Sequence, residues 1–182
     1  MELAIFIILS GSIIVILACL ASIFWFGGLL LPILFSGAPF VPSSKERVDT
    51  MIKLANIKPT DHVVDMGSGE GQFLIKSIKA GAQSADGYEI HPGLVVFSRW
   101  RAKRNKMQNK IHVFQKSFWK ADVSKATIVF LYLLPNHMVK LETKLKNELP
   151  IGARIISNEF TFPNWTPVKQ EEKIYVYEKT GS

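Results

Sequence analysis

A chain of 182 residues suits one principal domain with a substantial core and leaves little room for a second globular one. Its 22 Lys and Arg against 15 Asp and Glu give a formal net charge of +7, and every charged residue except Glu2 lies from Lys45 onward, which favours an anionic neighbour such as a phospholipid surface, nucleic acid or an acidic protein. Cys19 is the only cysteine, so an intrachain disulfide and a multi-cysteine zinc site are both excluded.

The chain opens on an uncharged apolar stretch, Leu3 to Phe35. A bilayer core takes about 20 apolar residues in helical form, so residues 1–35 are expected to be a transmembrane helix serving as a membrane anchor, with Trp25 at the interface. The positive n-region of a signal peptide is absent, and Cys19 lies inside the run without a preceding basic segment. Residues 36–44 read as a linker and 45–182 as the catalytic domain. Lys45, Arg47 and Lys53 then place that domain on the cytoplasmic side of a single-pass protein, beside an anionic membrane surface.

Ser43 to Glu46 has the spacing of a capping box, and Val48, Met51, Ile52 and Ala55 follow at helical period, predicting a helix from about Ser44 to Ile57. His62 to Met66 reads as a buried strand, followed by a helix from about Glu70 to Ile78. Ala85 to Ile90 is a second strand, Pro92 to Arg104 a helix, and Ile111 to Phe114 a third strand. Thr127 to Leu133 gives a fourth, Asn136 to Leu149 a helix, and Ala153 to Phe160 a fifth strand. Ile174 to Tyr177 is expected as an antiparallel edge strand. The alternation predicts an α/β fold with a doubly wound, mostly parallel sheet.

Asp65, Gly67, Gly69 and Gly71 form a D-x-G-x-G-x-G segment between a predicted strand and a predicted helix, the context in which a glycine motif carries functional weight. Glycines there permit tight turns and close approach of a ligand to backbone amides. Glu89 ends the second strand 24 residues after Asp65, near the spacing of acidic residues that bind a ribose. Together these features point to a nucleotide-type cofactor. Dinucleotide binding stays open at this level, although the alternating glycines differ from G-x-G-x-x-G. His62, His91, His112 and His137 form no metal-ligand pattern, and no metal is expected.

The glycine segment resembles motif I of the seven-strand class I methyltransferases that use S-adenosylmethionine. A more specific resemblance, to the FAM173-type membrane-associated protein-lysine methyltransferases, rests on Phe40 to Ser43, Gly87 to Pro92, Phe118 to Ser124 and Pro163 to Trp165. It implies S-adenosylmethionine as cofactor. Asp65, Gly67, Ser68, Gly69 and Gly71 would lie on its methionine side, Glu89 at the ribose, and Ser117, Phe118 and Trp119 around the adenine. Ser117 departs from the acidic residue often found at its position, and Trp119 can equally be a core residue.

Methyl transfer to an amine needs a neutral nucleophile, whereas a free lysine has a pKa of about 10.4. Tyr132, Asn136 and Glu159 are candidates to manage that proton, with Asn158 also available, and Pro135 and Trp165 are candidates to face the substrate. The expected substrate is a lysine of a membrane protein. Arg99, Arg101, Lys103, Arg104, Lys106 and Lys110 form an acid-free basic run that keeps nucleic-acid methylation as the alternative. A non-catalytic membrane adaptor is a third reading, and no feature assigns an oligomeric state.

Overall fold

The computed structural model describes residues 2–34 and 43–181, with side chains in the first helix at Phe6 and residues 9–25. Residues 36–42 of the expected linker, including Phe40, Val41 and Pro42 of the family resemblance, lie outside the described residues. The chain divides into two compact units, Met1–Pro39 and Phe40–Ser182.

The first unit is the helix α1 (Glu2–Leu34). Ser10 and Ser22 return their hydroxyls to the carbonyls of Phe6 and Ala18 one turn earlier, so these polar groups are satisfied within the helix. The expected transmembrane anchor is corrected: among the described residues no helix is long and apolar enough to cross a membrane. The single-pass topology, the cytoplasmic placement, the anionic membrane surface and the membrane-protein substrate all depended on that anchor, and they are withdrawn with it.

The second unit holds a seven-stranded sheet. Its elements are α2 (Lys45–Ala55), β1 (His62–Met66), α3 (Gln72–Lys79), β2 (Ser84–Glu89), α4 (Pro92–Arg104), β3 (Ile111–Gln115), β4 (Ile128–Leu131), α5 (Pro135–Glu148), β5 (Arg154–Asn158), β6 (Lys169–Glu171) and β7 (Ile174–Glu178), with a 3-10 turn at Phe118–Lys120. The strand order is β3-β2-β1-β4-β5-β7-β6. Strands β1 to β5 are parallel, whereas β7 runs antiparallel to both β5 and β6. The order reverses between β1 and β4, the switch point outside whose carboxyl ends an open α/β sheet binds ligands.

Strand alternation separates two cores. Val63, Phe130 and Ile156 face α2, α3 and α4 through Met51, Leu74 and Val95. Val64, Leu131 and Ile155 face α5 through Met138, Leu141 and Leu145, with the Phe118 to Val123 segment completing that side.

Several sequence expectations shift. Ser44, not Ser43, caps α2 by accepting from Arg47 N–H at 3.2 Å, and Asn56 ends the helix in the left-handed region at φ 47°. Ile174 to Tyr177 is not an edge strand, because the short, exposed and polar β6 lies outside it. β6 carried no apolar alternation to announce it. β4 begins after Thr127, whose hydroxyl instead joins a pin at the amino end of the sheet. There the Asp61 carboxylate accepts from Lys58 N–H at 2.7 Å, Thr127 Oγ1 at 2.7 Å and Arg154 Nη2 at 2.7 Å.

Candidate functional site

The carboxyl ends of β1 and β2 and the glycine turn after β1 form one cradle. Gly67, Gly69 and Gly71 all have positive φ, at 92°, 50° and 73°. Those values admit the turn Gly67 to Gly71 without the strain an L side chain would bring. The turn is anchored to β2: Gly67 and Ser68 N–H both donate to the Tyr88 carbonyl, at 2.9 and 3.0 Å. Gly87 makes this approach possible, since a Cβ there would lie 2.6 Å from Ser68 Oγ and 2.8 Å from Ser68 Cβ. A Cβ at Gly71 would lie 2.1 Å from Ser98 Oγ on α4.

Glu89 bridges the cradle. One carboxylate oxygen accepts from Gly69 N–H at 2.9 Å and the other from His91 N–H at 2.8 Å. His91 in turn caps α4, its Nδ1 accepting from Leu94 N–H. Arg101, from the far half of α4, reaches the Glu70 carboxylate at 3.1 Å and its carbonyl at 3.2 Å, fastening the glycine turn from outside.

Asp65 lies beneath this turn, 4% exposed, and its Oδ2 has no hydrogen-bond partner; Ser68 Oγ is a second buried atom without one. Burial, with the Glu89 carboxylate adding to it, pushes the Asp65 carboxyl up to about 8. A buried carboxyl next to a second carboxylate and left unpaired is a receptor for a cationic, hydrogen-donating group. The amino-acid arm of S-adenosylmethionine carries such a group, so the residues present fit that cofactor.

The remaining candidates divide. Ser117 caps the 3-10 turn, Phe118 is buried, and Trp119 turns toward α5, edge-on to His137 at 5.7 Å with the Lys140 ammonium 4.9 Å from its ring centre. Trp119 there walls an open groove of about 400 Å³ with Lys140, Thr143, Lys144, Asn147 and Glu148. His137 is buried, which lowers its pKa. Tyr132, half-buried, follows β4, while Pro135 and Asn136 are exposed at the start of α5.

Glu159 sits at φ 70° with its N–H on the Lys173 carbonyl and its carboxylate 3.8 Å from Lys173 Nζ, so its side chain is engaged with the turn between β6 and β7. Trp165 stacks on Phe162 and lies 5.8 Å from the ring of Tyr177, which pairs with Ile155 near the start of β5. It therefore covers the core toward the end of the sheet opposite the glycine turn.

Sequence reasoning left Gly87 and Arg101 out of the site. Glycine inside a strand marks a close backbone approach and could have found Gly87. Arg101 was hidden in the basic run, two members of which serve the fold: Arg101 holds Glu70, and Arg99 donates twice to the Val113 carbonyl, at 2.5 and 3.0 Å. Among the described residues no group of three or more His, Cys, Asp or Glu could hold a metal ion.

A doubly wound sheet with an antiparallel strand inserted next to its last strand, and an acidic, glycine-lined cradle at its switch point, has the form of a class I methyltransferase domain that binds S-adenosylmethionine. A solved RNA methyltransferase from Salinibacter ruber, in complex with S-adenosyl-L-homocysteine, superposes with a TM-score of 0.74 and 34% identity over 78% of this chain and 95% of that one. Residues 65–169 match the ANTKMT methyltransferase domain, and the chain belongs to that family. It is 38% identical over 129 residues to the ATP synthase c-subunit lysine N-methyltransferase of Xenopus laevis, covering 71% of this chain and 56% of the relative. It is 31% identical over 130 residues to a protein-lysine N-methyltransferase of Saccharolobus islandicus, covering 71% of this chain and 81% of the relative. The chain thus spans little more than half the length of the Xenopus laevis relative.

Proposed function

We propose that this chain is an S-adenosylmethionine-dependent protein-lysine N-methyltransferase. The observation that carries the reading is the buried, unpartnered Asp65 carboxyl under a glycine turn tied to Glu89. Asp65 takes the ammonium of the donor's amino-acid arm, the glycine turn lets that arm approach the backbone closely, and Glu89, already fixed by two backbone N–H groups, receives the ribose hydroxyls. Ser117 and Phe118 form the adenine end. When bound, the donor supplies an electrophilic methyl group on a sulfonium.

The chain's own residues then have three tasks: to hold the donor, to exclude water, and to align a neutral amine. Alignment of bound reactants supplies up to about 7 to 11 kcal/mol in favourable cases, so no covalent intermediate or metal is needed for the step. The names of the relatives support lysine as the acceptor. Tyr132, which follows β4 at the switch point, is assigned to the acceptor wall, whereas Pro135 and Asn136 are exposed at the start of α5 and Glu159 is engaged with Lys173.

Two measurements test the reading. Calorimetry with S-adenosylmethionine and with NAD separates donor binding from dinucleotide binding; NAD binding alone would refute it. Isotopically labelled donor incubated with a cell extract should place the label on lysine side chains, located by mass spectrometry. Label confined to nuclease-sensitive material would transfer the activity to nucleic acid.

A further inference from the structure

Asn158 ends β5 and is 3% exposed, yet its side-chain carbonyl Oδ1 has no hydrogen-bond partner. A buried amide oxygen left unpaired costs roughly as much as a lost hydrogen bond, so its persistence calls for an explanation. Position supplies one. Leu131 and Ser157 are register partners, which makes Tyr132 and Asn158 the next residues along neighbouring strands. Along β5, Ile156 belongs to the same core as Val63 and Phe130, so alternation places Asn158 on the face of the sheet that also carries Asp65.

Asn158 stands one two-residue step, about 7 Å, beyond Ile156 toward the carboxyl edge and two strands, about 10 Å, across from β1. Asp65 and Asn158 therefore flank the switch point on one face. One offers an unpaired carboxyl, the other an unpaired neutral acceptor. Asn158 has its counterpart in the glycine cradle, where the atoms lacking partners are those assigned to a bound molecule.

We infer that Asn158 is a substrate-binding residue whose Oδ1 accepts a hydrogen bond from the attacking amine. This assignment rests on the methyltransferase reading above. Held by one N–H, the neutral amine turns its lone pair toward the methyl group. That lone pair forms the new N–C bond and displaces the electron pair of the S–C bond onto sulfur, and the nitrogen's surplus proton then leaves to water. An uncharged acceptor suits the task, because a carboxylate at this position would stabilise the unreactive ammonium form.

The test uses the full chain, labelled donor and the proteins of a cell extract, with lysine labelling read by mass spectrometry. Asn158→Leu keeps the volume close and removes both the unpaired oxygen and its function. It should leave the melting temperature unlowered and donor binding within about twofold, and should slow lysine methylation about 10- to 100-fold, the scale of one hydrogen bond to a polar substrate group. Asn158→Asp retains an acceptor but should lose activity near neutral pH and regain it only at higher pH, the rising limb of the pH profile being displaced because the carboxylate favours the ammonium. A purely structural amide would give neither the selective loss nor the shifted profile.

If wild type labels lysine and Asn158→Leu labels it equally fast, the inference is overturned while the methyltransferase reading stands. If wild type binds donor but labels no lysine, the functional reading itself fails. Should Asn158→Leu not fold, Asn158→Asp decides alone: an unshifted profile refutes the role.

Discussion

Replacing Asp65 by Asn should make the ligand-free protein more stable and weaken the donor site. Between the ordinary carboxyl value of 3.8 and about 8, the folded chain keeps a proton on Asp65 that the unfolded chain has released. Over that window the folded state binds more protons, so stability falls by about 1.36 kcal/mol for each pH unit of rise, and the penalty is complete above about pH 8. At pH 7 it has reached about 4 kcal/mol, a ceiling against the roughly 5 to 15 kcal/mol that holds a domain folded. The substituted amide removes the titration but must satisfy its own buried N–H groups, at a cost of about 1 to 3 kcal/mol. A net gain of about 1 to 3 kcal/mol follows, or roughly 3 to 10 °C in melting temperature for a unit of this size. Denaturant unfolding at several pH values, without donor, should show wild-type stability declining from about pH 5 to 8 and the Asp65→Asn variant without that decline. Donor affinity, measured by calorimetry, should fall at least about tenfold because the ammonium loses its counter-charge. The reasoning is refuted if the variant has the wild-type pH slope, or if it binds donor as tightly as wild type does.

Three further substitutions probe the scaffold. Gly87→Ala, which would bring a methyl group within 2.8 Å of Ser68 Cβ and 2.7 Å of Leu74 Cδ1, should cost about 1 to 3 kcal/mol by overpacking and weaken donor binding by displacing the turn; retained affinity in calorimetry would argue against the close approach. Arg101→Ala frees Glu70 from a partly exposed pair, so thermal unfolding should change by less than about 1 kcal/mol while donor KM rises several-fold; an unchanged KM would show that the turn needs no outside fastening. Arg154→Ala leaves the buried Asp61 without its cation and should cost about 3 to 5 kcal/mol at pH 7 by urea unfolding. Burial pushes Asp61 up, but the hydrogen bonds from Lys58, Thr127 and Arg154 outweigh it and hold the carboxyl below 3.8. That stabilisation is present above pH 3.8 and is lost as pH falls through the depressed value, so acid unfolding should begin at higher pH in the variant.

The sheet was legible because β1, β4 and β5 are short apolar runs separated by helical spacing, the pattern a parallel sheet buried on both faces imposes. The glycine turn was legible because three positive-φ positions leave a glycine at each. The two features the pattern concealed have physical causes. β6 is wholly exposed, paired along one edge only, and its Lys169, Gln170 and Glu171 present no apolar face to water or core. α1 failed in the opposite sense: apolar length was taken for a span, whereas among the described residues no helix is long and apolar enough to cross a membrane.

The site divides along the same line between backbone and side chain. Residues whose role is written in backbone conformation, Gly67, Gly69 and Gly71, announce themselves through residue type, since glycine meets the demand without strain. Residues whose role depends on what surrounds them do not. Trp119 and Trp165 are equally aromatic in sequence, yet one turns to a groove beside α5 and the other roofs Phe162 and Tyr177. Arg99 and Arg101 read as a phosphate-binding run with their neighbours, yet their guanidinium groups tie α4 to β3 and to the glycine turn. Asn158 is the limiting case: nothing in its sequence neighbourhood distinguishes it from Asn136, and only its burial and the absence of a partner for its oxygen separate a substrate-facing amide from an exposed one. Unpaired buried atoms at the switch point are therefore a stronger guide to the acceptor side of this site than residue type, because they record a demand that the protein alone leaves unmet.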